Sequence, residues 1–296
     1  MSSIRRDSAH PRWQPSRSLD ERGRGDREGT LSIVIPAKDE AANLTPLLEE
    51  IVRAFRPLVG SNESGHRLDG FEVVIVDDGS SDDTVEVLGH LVADYPELRP
   101  LILAKNVGQS AATVAGIRAA RGDWVGLLDA DLQNPPSDLA AMWQVLPGHD
   151  AALGWRTTRQ DSWTKRAVSR VANRIRNAVL GQSIRDTGCS VRIIARNFAE
   201  RLPGFAGGHR FFGPLLLREG ARIVQVPVTH RPRVRGKSHY HFGNRSIRVV
   251  VDLLGVAWLL RRPVHYEVAS GFLAADSGLN PRVRTRAESE RRRVAG

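Results

Sequence analysis

The amino-acid sequence predicts an α/β fold with a mostly parallel sheet flanked by helices. Short apolar runs alternate with segments of helical spacing from residue 31 onward, and this β-α-β-α order is typical of parallel sheets. The run from Glu72 to Val76 is continuously β-branched, as in strands that are buried on both faces. Acidic residues follow three of the four runs, where ligands bind in such sheets.

Each element follows from its own pattern. The predicted strands are Leu31–Ile35, ended by Pro36, and then Glu72–Val76, Leu101–Ala104 and Trp124–Leu128. The predicted helices cover residues 41 to 55, 83 to 93 and 109 to 120, where apolar residues recur every three or four positions. A Ser or Asp before residue 83 is a typical helix cap, and the polar, Gly-rich stretch from Pro57 to Gly70 predicts a loop.

Composition divides the chain into four parts. Residues 1–29 and 267–296 are polar and rich in Arg, which predicts two disordered tails. Residues 30–228 are predicted to form the catalytic domain, and residues 229–266 a basic loop followed by an amphipathic helix.

The charge balance favours anionic partners. The 296 residues carry a formal charge of +10 and have a pI near 10.7, which suits nucleic acid, acidic lipid or phosphorylated substrates. A single cysteine, Cys189, excludes an internal disulfide framework and a cysteine-based zinc site. No apolar signal-peptide core begins the chain, and no run reaches the ~18 apolar residues of a membrane span. We therefore expect a cytoplasmic protein.

The stretch from Leu127 to Pro136 holds the strongest chemical signal. Asp129, Asp131 and Gln133 alternate, so on an extended chain they share one face. Their oxygens suit hard cations such as Mg²⁺ or Mn²⁺ bound together with substrate phosphates. A plain acidic turn after a strand is the alternative.

Two further acidic clusters favour the metal over the turn. Pro36–Glu40 follows the first predicted strand and Asp77–Asp82 follows the second, so that both converge with Asp129 on one edge of the sheet. Carboxylates this close repel one another unless a positive charge or a ligand rich in donor groups lies among them.

The ordered set of motifs resembles a known family. The motifs are Pro36–Glu40, Val76–Thr84, Asn106–Gln109 and Asp129–Gln133, and together they are similar to those of family 2 glycosyltransferases of the GT-A fold. Asp186–Arg192 and His230–Ser238 look like the polyprenyl-phosphate branch, the dolichol-phosphate mannosyltransferase-like enzymes. The resemblance runs from Leu31 to Arg262. It departs from the usual pattern at Lys38 and Asp39, where the family often has an aromatic residue and Asn, and at His239, where a Lys is common.

The resemblance implies a donor side and a metal site. The nucleotide-sugar, GDP- or UDP-linked, would be held by Pro36, Glu40, Asp78, Ser80, Gln109 and Asp129. Gln109 is equally ordinary as a structural cap. The Mg²⁺ or Mn²⁺ ion would be held by Asp129, Asp131 and Gln133, and Asp131 and Asp129 would thereby be catalytic.

The second half is basic and would receive the acceptor. The predicted ligands of its phosphate are Arg156, Arg170, Arg233, Arg235 and Lys237, because cationic side chains match phosphate oxygens. A sugar hydroxyl needs a general base, and no acid-rich motif follows Asp186. A phosphate monoester is largely dianionic at neutral pH and can attack unaided. Asp186 is a candidate for orienting the acceptor or the sugar, with an ordinary turn as the alternative.

Two helical patterns suggest contact with a membrane surface. Residues 163 to 180 place Arg166, Arg170 and Arg174 on one face, and residues 247 to 260 combine a wide apolar face with a stripe of Arg245, Arg248, Asp252 and Gly255. The alternative for the first helix is packing on the sheet, and the alternatives for the second are a buried core helix and an oligomer contact. These patterns predict peripheral association with the inner face of the membrane, with a homo-oligomer or a membrane partner protein also open.

The sequence therefore predicts an inverting, metal-dependent transfer of a mannose- or glucose-type hexose to a polyprenyl phosphate such as dolichyl or undecaprenyl phosphate. Transfer to a saccharide or protein hydroxyl is the first alternative. A non-catalytic nucleic-acid-binding protein is the second, and it is disfavoured because no aromatic-basic recognition module is present. We expect no nucleic-acid partner.

Overall fold

A computed structural model describes residues 29–61, 66–157, 178–180, 184–232 and 245–262. Its centre is a seven-stranded sheet in the order β3-β2-β1-β4-β6-β5-β7. The strands are β1 (Gly29–Ala37), β2 (Leu68–Asp77), β3 (Leu98–Ile102), β4 (Trp124–Leu127), β5 (Ala151–Arg156), β6 (Arg192–Ala195) and β7 (Ile223–Val228). The β6 strand runs antiparallel to both β4 and β5, and the other neighbouring strands are parallel. The predicted mostly parallel sheet is thus confirmed.

Helices cover the sheet. They are α1 (Ala41–Phe55), α2 (Thr84–Asp94), α3 (Gln109–Ala119), α4 (Pro136–Gln144), α5 (Arg196–Ala199), α6 (Phe212–Arg218) and α7 (Arg245–Leu260). Short 3-10 turns lie at Arg56–Leu58 and Gly208–Phe211. The three helices predicted before residue 121 are confirmed to within a residue at each end. No helix in the described ranges is long and apolar enough to cross a membrane.

The first strand extends further than predicted. It continues through Pro36, which is in register with Val76, and ends at Ala37 beside Asp77. The proline is tolerated because β4 pairs only with residues 31–34 of β1, so no ladder partner faces the missing N–H. The chain therefore reaches the edge of the sheet before it turns, and Pro36 lies at that edge.

Helix α3 lies unusually close to the sheet. A Cβ added at Gly116 would come within 2.3 Å of Val34 Cγ1 and 2.9 Å of Val76 Cγ2, so only glycine permits this approach. The helix begins at Gln109, directly after Gly108 with φ 93°. Gln109 and Ser110 are thereby placed beside the carboxyl ends of β1 and β4.

Helix α7 presents an apolar face to solvent. Val251, Leu254 and Trp258 are each about 60% exposed, whereas Val256 and Ala257 are buried. Asp252 is half-buried and approaches Gly207, where an added Cβ would lie 2.8 Å from its Oδ2. Asp252, which the sequence places on an exposed polar stripe, instead contacts the loop at Gly207. The exposed face of the helix is formed by the apolar side chains of Val251, Leu254 and Trp258.

Several predicted features lie outside the described residues. They include residues 1 to 28 and 263 to 296, which hold nearly all of both predicted tails. They also include most of the arginine-bearing pattern of residues 163 to 180, of which the structure describes only residues 178–180, as helix. The positions Arg170, Arg233, Arg235 and Lys237 are also outside.

Candidate active site

The three predicted acidic clusters meet at one edge of the sheet. They lie at the carboxyl ends of the adjacent parallel strands β2, β1 and β4. A cavity of about 890 Å³ opens there, which is within the usual size range of ligand sites. Five of the six residues predicted to hold the donor line this cavity: Pro36, Glu40, Asp78, Gln109 and Asp129.

The Asp78 carboxylate is nearly buried and fixes the loop that leads to α3. It accepts hydrogen bonds from Val107 N at 2.7 Å, Gly108 N at 2.9 Å and Asn106 Nδ2 at 3.1 Å. Three donors hold this carboxylate in one orientation. Asp78 is therefore a preformed corner of the cavity.

Ser80, the sixth predicted donor residue, does not line the cavity and contacts Asp39. Its Oγ accepts the Asp39 N–H at 2.8 Å, and Asp39 has φ 55°, a left-handed conformation that Asp tolerates better than most residues. Asp39 Oδ1 in turn accepts the Ser81 N–H at 2.7 Å. That hydrogen bond and the ion pair with Lys38 outweigh partial burial and lower the pKa of Asp39 to about 2. The turn after β1 is thus locked to the turn after β2.

The wall after β4 concentrates negative charge. Asp129 and Asp131 both line the cavity, and Gln109 Nε2 donates to Asp129 Oδ1 at 3.1 Å. Burial raises the pKa of Asp129, and the charge of Asp131 raises it further. The nearby positive charges of Arg192 and Arg156 offset these two effects only in part.

Two carboxylates on one wall fit a magnesium or manganese ion. Such ions commonly take one or two protein carboxylates and complete their shell with substrate phosphates. Within the described ranges, no group of three or more His, Cys, Asp or Glu side chains could hold a metal by itself. The protein would therefore contribute Asp129 and Asp131 and leave most positions to the ligand.

Gln133, the predicted third metal ligand, has other contacts. Its Nε2 donates to Arg231 O at 3.3 Å and lies 3.5 Å from His230 Nε2, while Arg231 N donates to Gln133 O at 2.7 Å. The left-handed Leu132, with φ 60°, turns the chain between Asp131 and Gln133. Metal ligation by Gln133 stays a prediction. The structure adds that this residue attaches the segment after β7 to the turn that carries Asp131.

An ion pair fastens the same segment to α1. Arg231 Nη1 lies 2.9 Å from Glu50 Oε1, and Thr229 N donates to Asp138 Oδ2 at 2.5 Å. Sequence patterns could not reveal these contacts, because the partners are 181 and 91 positions apart.

Asp186 and Arg156 bind each other. Arg156 Nε lies 2.8 Å from Asp186 Oδ2, and its Nη2 donates to Oδ1 at 3.1 Å. The side chains are 16% and 12% exposed, and Gly188 N also donates to Asp186 Oδ1. A two-pronged pair of this kind holds the loop before β6 in place. The predicted roles of Arg156 with phosphate and of Asp186 with the acceptor stay predictions.

Residues 204–210 form a further wall of the cavity, called the basic wall here because it carries His209 and Arg210 and no acid. The dipeptide His209-Arg210 resembles a family signature near the acceptor, and packing is the alternative role. His209 and Arg210 line both the large cavity and a second one of about 250 Å³ beyond Asp129. Three other described residues border both spaces: Pro36, Gln109 and Asp129. His209 and Arg210 thus lie at the junction of the cavities.

Buried hydrogen bonds hold this basic wall. Arg192 is 5% exposed, and its guanidinium donates to the carbonyls of His209 at 2.5 Å, Thr187 at 3.0 Å and Cys189 at 2.8 Å. Ser110 Oγ accepts the Gly207 N–H at 2.9 Å and lies 2.6 Å from His209 Nδ1. Both the backbone and the ring of His209 are therefore fixed.

Comparison with known proteins gives consistent results. The family model described as glycosyl transferase family 2 matches residues 32–202. The chain is 34% identical to dodecaprenyl-phosphate galacturonate synthase of Rhizobium johnstonii over 80% of its own length and 70% of that protein. It is 32% identical to undecaprenyl-phosphate 4-deoxy-4-formamido-L-arabinose transferase of Serratia proteamaculans, over 84% of its own length and 73% of that protein.

Solved structures with the same fold include two sugar transferases. A mannosyltransferase of Pyrobaculum calidifontis in complex with GDP-Man and Mn²⁺ aligns with a TM-score of 0.51 at 19% identity, covering 80% of this chain and 64% of that one. Glucosyl-3-phosphoglycerate synthase of Mycobacterium tuberculosis with Mn²⁺ and UDP-glucose aligns with a TM-score of 0.55 at 21% identity, covering 77% and 79%. At these identities the likeness concerns the fold, and it agrees with the predicted GT-A architecture.

Proposed function

The chain belongs to glycosyl transferase family 2, and we propose that this glycosyltransferase moves a sugar from a nucleotide donor to a polyprenyl phosphate. The observation that carries the proposal is the division of charge in the cavity. All carboxylates that line it follow strands β1, β2 and β4, and the stretch 204–210, which also lines it, contains His209 and Arg210 and no acid. Lys38 and Arg118 add two further cations to the lining. An acceptor that brings its own negative charge fits this arrangement better than a hydroxyl that needs a base.

The relatives support the lipid acceptor. The two that are 34% and 32% identical are named for transfer to dodecaprenyl phosphate and undecaprenyl phosphate. Their sugars differ from each other, a galacturonate and a formamido-arabinose. The acceptor class is therefore better supported than the sugar, and a mannose- or glucose-type hexose stays a prediction.

On the donor side, the edge of the sheet would bind the nucleotide. Asp78 and Glu40 would accept hydrogen bonds from ribose hydroxyls or base N–H groups, since carboxylates act only as acceptors. Asp129 and Asp131 would hold a Mg²⁺ or Mn²⁺ ion, whose charge would offset that of the leaving diphosphate. Gln109, bonded to Asp129, would keep that carboxylate oriented.

On the acceptor side, a phosphate oxygen would attack the anomeric carbon. The new bond joins that carbon to the phosphate oxygen, the bond to the nucleoside diphosphate breaks, and the configuration inverts. No proton has to be removed because the phosphate is already ionised near neutral pH. The protein contributes placement of the two reactants and exclusion of water.

Helix α7 would bring the enzyme to its lipid. Its exposed face, formed by Val251, Leu254 and Trp258, is followed by Arg261 and Arg262, and the Arg262 guanidinium lies 5.1 Å from the Trp258 ring. An apolar face with aromatic and cationic flanks suits an anionic membrane interface. Replacing the three apolar residues with Ser should reduce flotation with anionic vesicles. As a control, Val85→Ser combined with Val92→Ser replaces two exposed apolar residues of α2, and this variant should float like the wild type.

The test of function is a product assay. The full chain is incubated with undecaprenyl phosphate, Mg²⁺ or Mn²⁺, and radiolabelled UDP- or GDP-sugars that include a uronic acid and a pentose. Label that extracts into organic solvent with one of these donors supports the proposal. Label that appears only in water-soluble glycans or on protein would favour a hydroxyl acceptor.

A further inference from the structure

We propose that Asn134 and Ser190 form a chain of hydrogen bonds, called the relay here, that holds the Asp129 carboxylate in the orientation in which it binds a divalent cation. This inference rests on the proposed function, because Asp129 is one of the two carboxylates assigned there to a Mg²⁺ or Mn²⁺ ion. Both members of the relay, 56 positions apart in the chain, are positioning residues, since they act on the ion only through Asp129.

The relay consists of two hydrogen bonds that run in the same direction. Asn134 Nδ2 donates to Ser190 Oγ at 3.3 Å, and the Ser190 hydroxyl bonds the side chain of Asp129. In the ionised form that binds a cation, a carboxylate only accepts hydrogen bonds. The Ser190 proton therefore goes to Asp129, and the hydroxyl oxygen is left to accept from the amide of Asn134.

Asp129 is thereby held from two sides. Gln109 Nε2, at the start of α3, donates to its Oδ1 at 3.1 Å, and Ser190 reaches it from the loop that leads into β6. An ionised carboxylate has about four acceptor sites, so two donors fix its orientation and leave further sites for a cation. Asp129 also lines both cavities, where a ligand can reach it.

Fixed backbone supports both ends of the relay. Asn134 is 4% exposed and directly precedes the two prolines at which α4 begins, and the backbone of a residue before proline is restricted. At the other end, Arg192 Nη2 donates to the carbonyl of Cys189, the neighbour of Ser190, at 2.8 Å. The two side chains are therefore carried by segments that are already in place before a ligand binds.

The side-chain oxygen of Asn134 indicates that this arrangement serves the site more than the fold. Asn134 Oδ1 is buried and accepts no hydrogen bond from the part of the chain that the structure describes. A buried acceptor without a donor is unfavourable. If the amide turned over, Oδ1 could accept the Ser190 proton, but the bond from Ser190 to Asp129 would then be lost. The observed orientation directs that proton at Asp129 and leaves Oδ1 without a donor.

The test measures Mn²⁺ affinity without turnover. Ser190→Ala should weaken the binding of Mn²⁺ to the full chain, alone and with UDP or GDP, roughly ten- to hundredfold, as is usual when a partner behind a metal ligand is removed. Electron paramagnetic resonance of the free ion gives the dissociation constant. Ser190→Thr keeps the hydroxyl and should recover most of the affinity. As a control, Ser61→Ala removes a hydroxyl that bonds the carbonyl of Leu58 outside both cavities and should leave the affinity unchanged.

Asn134 separates a positioning role from a structural one. Asn134→Leu has a similar shape and removes both the bond to Ser190 and the buried oxygen that lacks a donor. Its Mn²⁺ affinity should fall roughly tenfold, while the urea midpoint of unfolding stays at or above that of the wild type. A lower midpoint with unchanged Mn²⁺ affinity would mean that Asn134 serves only the fold.

The double variant tests whether the two residues act in one chain. Because Asn134 reaches Asp129 only through Ser190, Ser190→Ala combined with Asn134→Leu should lose no more Mn²⁺ affinity than Ser190→Ala alone. Losses that multiply in the double variant would contradict the relay, and so would unchanged affinity in Ser190→Ala.

The outcomes separate this inference from the proposed function. A wild type that binds no Mn²⁺ defeats the metal assignment and the relay with it. A wild type that binds Mn²⁺ through Ser190 but makes no lipid-extractable product with any donor defeats the proposed function and leaves the relay standing. An active wild type with an unaffected Ser190→Ala defeats only the relay.

Discussion

The two walls of the cavity are built in different ways. The acidic wall consists of residues at the ends of neighbouring parallel strands, and their backbone positions follow from strand register. The basic wall is a loop around His209 and Arg210, and it depends on side chains from distant segments: Arg192 donates to its carbonyl and Ser110 bonds its ring. Topology alone brings the carboxylates together, whereas the cations need dedicated buried supports.

The acidic wall and the basic wall are also expected to matter for different properties, ligand binding and stability. Carboxylates at strand ends repel one another, so the acidic wall is an electrostatic cost that a bound cation relieves. The basic wall contains a buried guanidinium whose hydrogen bonds must all be made for the loop to hold its shape. We therefore expect substitutions on the acidic wall to affect turnover first, and those behind the basic wall to affect folding first.

The largest effect is expected at Asp131. Replacing Asp131 with Asn removes one of the two proposed metal ligands, and transfer should fall by roughly a hundredfold or more, since metal Lewis acidity contributes several kcal/mol. The pKa of Asp129 should move back toward its usual range, because the charge of Asp131 helps to raise it. Initial rates at saturating Mn²⁺ are the measurement, and near-normal turnover would overturn the metal assignment.

The next effect is on stability, at Arg192. Arg192→Met leaves the carbonyls of His209, Thr187 and Cys189 without this donor, and should lower the free energy of unfolding by about 3 kcal/mol. Urea denaturation measures this loss. Arg201→Gln also removes one positive charge, but at an exposed position, and it should lower the free energy of unfolding by less than about 0.5 kcal/mol. Equal losses in both variants would contradict the support that Arg192 gives to the basic wall.

A pH-dependent effect is expected at Asp39. Its pKa is lowered to about 2, so the ionised form stabilises the fold fully above the unfolded pKa near 3.8 and loses this contribution as pH falls toward 2. Asp39→Asn should cost on the order of 1–2 kcal/mol at pH 6, and the difference from the wild type should shrink as pH falls from about 4. A difference that is the same at pH 6 and pH 3 would show that the charge is not responsible.

The smallest effect concerns Glu50 and Arg231. This pair is about one-third exposed, at 29% and 41%, so breaking it should cost less than about 1 kcal/mol. A double-mutant cycle with Glu50→Gln and Arg231→Gln, read by denaturation, should give a coupling in that range. A coupling of zero would leave two attachments of the segment after β7: the hydrogen bonds between Arg231 and Gln133, and the one from Thr229 N to Asp138.

The sequence predicts the acidic wall well because its information is local. Each carboxylate directly follows a run that reads as a strand, and parallel strands bring their ends together. Pro36 misleads because a single sequence does not show which side of β1 has a neighbour at that position. Strands β2 and β3 begin at Leu68 and Leu98, earlier than the predicted starts at Glu72 and Leu101. Polar residues interrupt the apolar run at these positions.

The basic wall could not be predicted in the same way. Ser110 and His209 are 99 positions apart, and neither lies in a pattern that indicates contact with the other. Gln133 shows the same limit, since its spacing from Asp129 suggests a shared ligand while its side chain contacts the backbone of Arg231. The dipeptide His209-Arg210 was visible, but its place in the cavity wall depends on the packing of the 3-10 turn against α3.

The most direct test of the central claim, that a phosphate attacks without a protein base, is the pH dependence of kcat/KM for the acceptor. With a prenyl phosphate, the rate should fall below about pH 6, the second pKa of a phosphate monoester. With the corresponding phosphonate, whose second pKa is higher, the fall in rate should occur at a higher pH. The shift should equal the difference between the second pKa values of the two acceptors. A limb that stays at the same pH with both acceptors would belong to a group on the protein and would contradict the account.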